Sequence, residues 1–350
     1  MTIFGATTED FPLFDVPRRY DAVLVMSFGG PEGMNDVMPF LENVTRGRNV
    51  PRERLAEVAH HYERFGGVSP LNEQNRKLVA ALEAELRSAG LRLPVYFGNR
   101  NWHPFVTDTV RRMRDDGVRR AIAFVTTAFS CYSGCRRYRE DILRAVETAG
   151  EDAPEFDKVR VFYNHPGFIE PCAENLRAAL AKVPADRQAA ARVVFTAHSI
   201  PQAMAQASDY EKQLAEASRL VAGGAGVRQY DLVYQSRSGP PQVPWLGPDI
   251  LDHLTHLARE RARAVVALPI GFISDHIEVR WDLDEEARAK AQELGMLFVR
   301  AATVGTHPAF VRMVRELIAE RMTPNPERKA VGRFGPNHDI CPSDCCRERR

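Results

Sequence analysis

Residues 264–286 read AVVALPIGFISDHIEVRWDLDEE. The apolar run at 264–269 predicts a buried strand, and Gly271 turns the chain after it. A charged segment follows, with acids at Glu278, Asp282 and Glu286. At roughly 100° per residue, a spacing of four stacks these carboxylates along one side of a helix. Like charges four apart repel by a few tenths of a kcal/mol, unless a cation or shared protons sit among them. The plain alternative is a solvated helix face, with Arg280, Arg288 and Lys290 as counter-charge.

A second apolar run, VVFTA at 193–197, delivers His198 in the tetrapeptide HSIP. Open α/β sheets bind ligands at the carboxyl ends of their strands. An imidazole there can take or give a proton near neutral pH, although a structural histidine fits the same position. Further strands are expected at 21–28, 93–98, 121–127, 159–163, 232–235 and 296–300. Helices are expected at 36–43, 51–65, 72–88, 105–115, 137–149, 202–221, 249–260 and 308–321, with another beginning near 164. Alternating strands and helices imply parallel sheets. The second half repeats the style of the first, with HSIP set against FGGP at 28–31. The fold class is therefore α/β, with two Rossmann-like lobes and a cleft between them. The expected divisions are an N-terminal arm at 1–20 held by Phe11, Leu13 and Phe14, lobes at 21–184 and 185–322, and a tail at 323–350. The stretch 184–192 reads as a linker.

Composition sets limits. The 350 residues carry a net charge of +1, with 44% hydrophobic and 27% charged residues. That balance suits a soluble globular protein and excludes a general nucleic-acid binder. No apolar run approaches the ~20 residues of a membrane span, and the N-terminus lacks a signal core. The cytoplasm and a monomer are the expectations. The glycine turn at 29–31 lacks both nucleotide-binding glycine patterns.

After residue 322 the chain becomes polar and aperiodic, and is expected to be disordered unless something ties it down. Three of the six cysteines, Cys341, Cys345 and Cys346, fall in its last ten residues. With a fourth thiol from the body they make a closed site for Zn²⁺ or [2Fe–2S]. Cys172, on a helix, is the expected fourth, with Cys131 or Cys135 as alternatives. Spacing alone does not separate the two metals.

HSIP at 198–201, QSRSGPPQVPWLGP at 235–248 and PIGFISDHIEV at 269–279 together resemble the ferrochelatases, in matching order over about 20–322. These enzymes insert Fe²⁺ into a porphyrin in haem biosynthesis. The resemblance implies that His198 and Glu278 face each other across the porphyrin and carry iron binding and proton transfer. Asp282 and Glu286 extend the ladder outward, and His276 orients Glu278. The pieces FLENVTRGR at 40–48 and HHYERFGGVSP at 60–70 match the family's lip over the cleft. Phe28, Arg46, Ser69, Tyr132 and Trp245 are expected porphyrin contacts. Arg46 is also readable as a solvated basic turn, and Trp245 as a loop anchor. Phe28 stands where some bacterial relatives have an iron-ligating tyrosine, so that axial role is absent. The tail resembles a cluster-bearing bacterial subset, which implies [2Fe–2S] on Cys172, Cys341, Cys345 and Cys346. Similarity to actinobacterial enzymes implies coproporphyrin III as substrate, with protoporphyrin IX as the alternative. A chelatase for another metal or tetrapyrrole, and a non-catalytic haem or porphyrin carrier, are the rival readings.

Overall fold

In the computed structural model, residues 18–48, 50–240 and 242–348 are described. Most of the expected arm, with Phe11, Leu13 and Phe14, lies outside them. Eight strands form two four-stranded sheets. The first contains β1 (Ala22–Ser27), β2 (Val95–Asn99), β3 (Arg120–Val125) and β4 (Glu155–Lys158), in the order β2-β1-β3-β4. The second contains β5 (Ala191–His198), β6 (Tyr230–Gln235), β7 (Ala264–Leu268) and β8 (Leu297–Arg300), in the order β6-β5-β7-β8. All pairings are parallel. Strands β1 and β7 are buried along their whole length, which explains their unbroken apolar sequences.

The shared strand order fixes where ligands go. In each sheet the chain leaves its first strand to one side and returns on the other. The crevice at that reversal opens at the carboxyl ends of β1 and β3, and of β5 and β7. Phe28 follows β1, Tyr132 follows β3, His198 ends β5, and Glu278 follows β7.

The lobes share a core. Helices Pro166–Leu180 and Pro308–Met322 pack against each other. Phe310 of the last helix meets Phe124 of β3 and Phe162, with ring centroids 6.3 and 5.9 Å apart. The last helix thus crosses back onto the first sheet. The 184–192 stretch holds a short helix, Ala185–Gln188, before β5 begins.

Two expectations need correction. The strand expected at 159–163 is displaced to the more polar Glu155–Lys158. Asp157 is buried there because Tyr20, Arg18 and Arg321 reach it, at 2.8, 3.1 and 3.5 Å. The 159–163 run, VRVFY, is buried without strand pairing beyond Val159, whose N–H still bonds Ala123 O. The helix expected at 202–221 is two helices, Gln202–Gln206 and Tyr210–Gly224. Ser208 Oγ turns back onto the carbonyls of Met204 and Ala205 at the break.

The tail meets the condition set for its order, that something tie it down. It is ordered across the described residues because the body supplies partners. Asn164 donates to Phe334 O and accepts from Val331 N. Lys212 sits 4.5 Å over the Phe334 ring, and Arg333 N donates to Glu216. Gly332 has φ +89°, and a Cβ there would strike Glu216 Oε1, so glycine is required at this contact.

Candidate active site and tail thiol site

His198 and Glu278 come from different strand ends and meet. His198 Nε2 lies 3.5 Å from Glu278 Oε2. His198 Nδ1 hydrogen-bonds the Ser199 carbonyl. A carbonyl only accepts, so Nδ1 carries a proton and Nε2 is the ring nitrogen that faces the carboxylate. An imidazole nitrogen and a carboxylate oxygen at this distance can share a proton or a cation between them. Both side chains keep solvent contact, with 33% and 50% exposure, so a ligand can reach them.

His276 Nδ1 lies 4.0 Å from the same Glu278 oxygen, and its ring packs edge-on to Phe272 at 4.8 Å. Burial, and then the neighbouring His198, hold it below the usual histidine range, against the pull of Glu278. At 4.0 Å it neighbours Glu278 without hydrogen-bonding it.

The acid ladder departs from an ordinary helix. One short turn, Ile277–Val279, opens into a π-helix over Arg280–Ala287, and α-helix resumes at Arg288–Glu293. The wider π turn keeps residues four apart closer to one line than an α-helix does. Asp282 accepts from Gln235 Nε2 at 3.1 Å and from Ser236 Oγ. Burial first, then the charges of Glu278 and Glu286, push its carboxyl from 3.8 up to about 7, although both hydrogen bonds oppose the rise. Burial also raises Glu286. Asp282 is therefore the ladder carboxyl poised to exchange a proton near neutrality.

The lip closes over this ladder. Helices Met34–Val44 and Arg52–Glu63 share a small core of Phe40, Leu55 and Tyr62 that includes Ile277. His61 stacks on Trp281 at 4.0 Å and 6°, Arg280 lies over Phe65, and Arg64 pairs with Glu285 at 3.1 Å. Burial raises the Tyr62 phenol, with Glu278 adding to the shift.

The expected porphyrin contacts divide. Phe28 is 37% exposed and, with Met34 and Val68, is one of the exposed large apolar side chains among the described residues. Phe28 packs edge-on to Phe40 at 6.3 Å, and Glu32 bridges to Val68. Arg46 is exposed on the turn after the first lip helix. Ser69 is buried instead, packed so closely on Gly30 that a Cβ there would lie 2.6 Å from its own. Tyr132 lies in a π-helical turn, Tyr132–Arg136, with its hydroxyl between Glu140 and Arg137, both at 3.2 Å. Trp245 packs beneath Gly239 of its own loop and bridges to Pro201, the arrangement of a loop anchor.

The tail thiols do not gather on Cys172. That thiol is sealed in the hydrophobic core, and burial alone raises its pKa. Cys341, Cys345 and Cys346 line one pocket with Cys135, Arg136, Arg139 and Lys158. Cys345 and Cys346 sulfurs are 3.6 Å apart, and His338 Nε2 is 3.7 Å from Cys345. The donor atoms of His338, Cys341 and Cys345 lie within 4.8 Å of one another. Arg136 clamps the tail by donating to the carbonyls of Ser343 and Cys345, both at 3.1 Å. Cys131 is spent locally, accepting from Gly134 N. The fourth thiol beside the tail is thus Cys135, because the π-helical turn after β3 presents it where the tail docks. His338 was missed, although its spacing before Cys341 resembles a ligand pair. Four unbridged thiols around a buried lysine fit a thiolate-ligated metal group.

The profile of the family described as Ferrochelatase matches residues 20–322. A protein named Ferrochelatase from Rhodopirellula baltica is 56% identical over 93% of this chain and 93% of its own length. One named Coproporphyrin III ferrochelatase from Nocardia farcinica is 54% identical over 94% of this chain and 97% of its own. The solved structure of SirB from Bacillus subtilis with Fe³⁺ shares the fold, with a TM-score of 0.53 at 12% identity, covering 86% of this chain and 97% of that one. No helix among the described residues is long and apolar enough to cross a membrane. As the three sequence motifs implied, the chain belongs to the ferrochelatase family, a family of metal chelatases.

Proposed function

We propose that this chain inserts Fe²⁺ into coproporphyrin III, releasing two protons, as a step of haem biosynthesis. The observation that carries the reading is the His198–Glu278 pair, 3.5 Å apart at the switch-point crevice. Metalation replaces two pyrrole N–H protons with one divalent cation. His198 Nε2 is free to take a proton because Nδ1 is engaged by Ser199 O. Glu278 supplies negative charge for the incoming ion, with His276 beside its carboxylate. Asp282, poised at about 7, accepts a proton from the centre and passes it toward Glu286 and solvent.

Phe28, Met34 and Val68 offer apolar contact to the macrocycle, and the exposed Arg46 and Arg48 suit its carboxylates. Coproporphyrin III has four propionates, two more than protoporphyrin IX. Several relatives at about half identity carry coproporphyrin III in their names. Cys135, Cys341, Cys345 and Cys346 would hold a [2Fe–2S] cluster, which when bound supplies a one-electron couple and ties the tail to the body. The cytoplasm is the proposed compartment, since thiols stay reduced there. The test is anaerobic turnover of Fe²⁺ with each porphyrin side by side. Faster metalation of coproporphyrin III is expected; preference for protoporphyrin IX would overturn the substrate assignment, and porphyrin binding without metalation by either would indicate a carrier.

A further inference from the structure

We propose that Lys158 is the buried counter-ion of the tail thiolate site and raises the reduction potential of the group held there. This rests on the reading of that site as a [2Fe–2S] centre. Lys158 closes β4 and is 7% exposed. Its Nζ donates to Val159 O at 2.8 Å, and it lines the pocket formed by Cys135, Cys341, Cys345 and Cys346. No carboxylate forms an ion pair with it among the described residues. The charge of Asp339 reaches Lys158, but its carboxylate is already engaged by Arg328 and lies 3.9 Å from Arg321.

A buried ammonium whose acceptors are one carbonyl and the neighbouring Cys135 sulfur is costly unless an anion faces it. Neutral thiols do not meet that need, whereas metal-bound thiolates do. Four thiolates on an oxidised [2Fe–2S] core carry two net negative charges, and reduction by one electron makes three. A fixed positive charge beside the sulfurs stabilises the reduced form more than the oxidised form, and so raises the potential. Arg136 is a weaker contributor, because its guanidinium already serves two tail carbonyls and Glu140.

The experiment is a potentiometric titration of the full-length, anaerobically purified protein with dithionite and mediator dyes, followed by visible absorption and electron paramagnetic resonance. Wild type, Lys158→Met and Lys158→Arg are compared, with iron per chain and far-ultraviolet circular dichroism for each. The midpoint of Lys158→Met is expected to fall below wild type, with Lys158→Arg restoring most of the difference. Loss of iron from a folded Lys158→Met, but not from Lys158→Arg, would equally support a charge role. An unchanged midpoint in Lys158→Met, or equal iron loss from both variants, would overturn it. A colourless wild type holding zinc would sink the cluster reading separately. Lys158 is then judged by zinc release to a chelator, faster release from Lys158→Met alone supporting the counter-ion and equal release refuting it.

Discussion

Replacing Asp282 by Asn isolates the electrostatic work of the acid ladder. Asp282 is held at about 7 instead of 3.8 by burial and by Glu278 and Glu286. That difference corresponds to about 4 kcal/mol of disfavoured charge. The side chain keeps some solvent contact, so about 2 kcal/mol is the reasonable expectation. The sign follows from proton binding. Between pH 3.8 and about 7 the folded carboxyl holds a proton that the unfolded one has released. Stability contributed by Asp282 is therefore full below pH 3.8 and is lost as pH rises toward 7. Asp282→Asn lacks this loss. Its stability relative to wild type should climb by about 2 kcal/mol between roughly pH 4 and 8, then level off. Urea unfolding midpoints across that range measure the effect, with the slope of the transition checked for constancy. Iron insertion by the same variant should fall while porphyrin binding persists, because the proton path is interrupted. A stability difference that stays flat with pH would refute the reasoning, since an ordinary solvated carboxylate gives that result.

Two other perturbations separate parts of the account. Cys135→Ser should remove bound metal and visible absorption, whereas Cys172→Ser should keep both and lose only packing; metal analysis and an absorption spectrum decide it. Glu320→Gln should destabilise by about 3–5 kcal/mol in urea unfolding, because it strands Arg160, which is fully buried and paired to both Glu320 oxygens at 2.8 and 2.9 Å. Restored stability in an Arg160→Met, Glu320→Leu double variant would show that the loss came from the stranded charge.

Much of the fold was legible because parallel strands buried on both faces spell themselves out as apolar runs, as at 22–27 and 264–268. His198 and Glu278 could be found because they sit just beyond such runs. Other features were hidden by tertiary context. Strand β4 is short and polar, and only its partners Tyr20, Arg18 and Arg321 make Asp157 acceptable inside. The π-helix at Arg280–Ala287 was not visible because acids spaced by four suit both helix types. Cys172 and Cys135 look equivalent as sequence. Both thiols belong to the shared core, but only Cys135, on the turn Tyr132–Arg136, lines the pocket that the tail cysteines complete. The tail's order comes from long-range partners such as Asn164 and Glu216, which no local pattern predicts.

The most direct test of the central claim is single-turnover iron insertion by His198→Ala, run anaerobically with coproporphyrin III already bound and binding verified by fluorescence. The account predicts a folded variant that holds the porphyrin and leaves it unmetalated, because no imidazole nitrogen faces Glu278 to take the pyrrole proton. Metalation at the wild-type rate would contradict it.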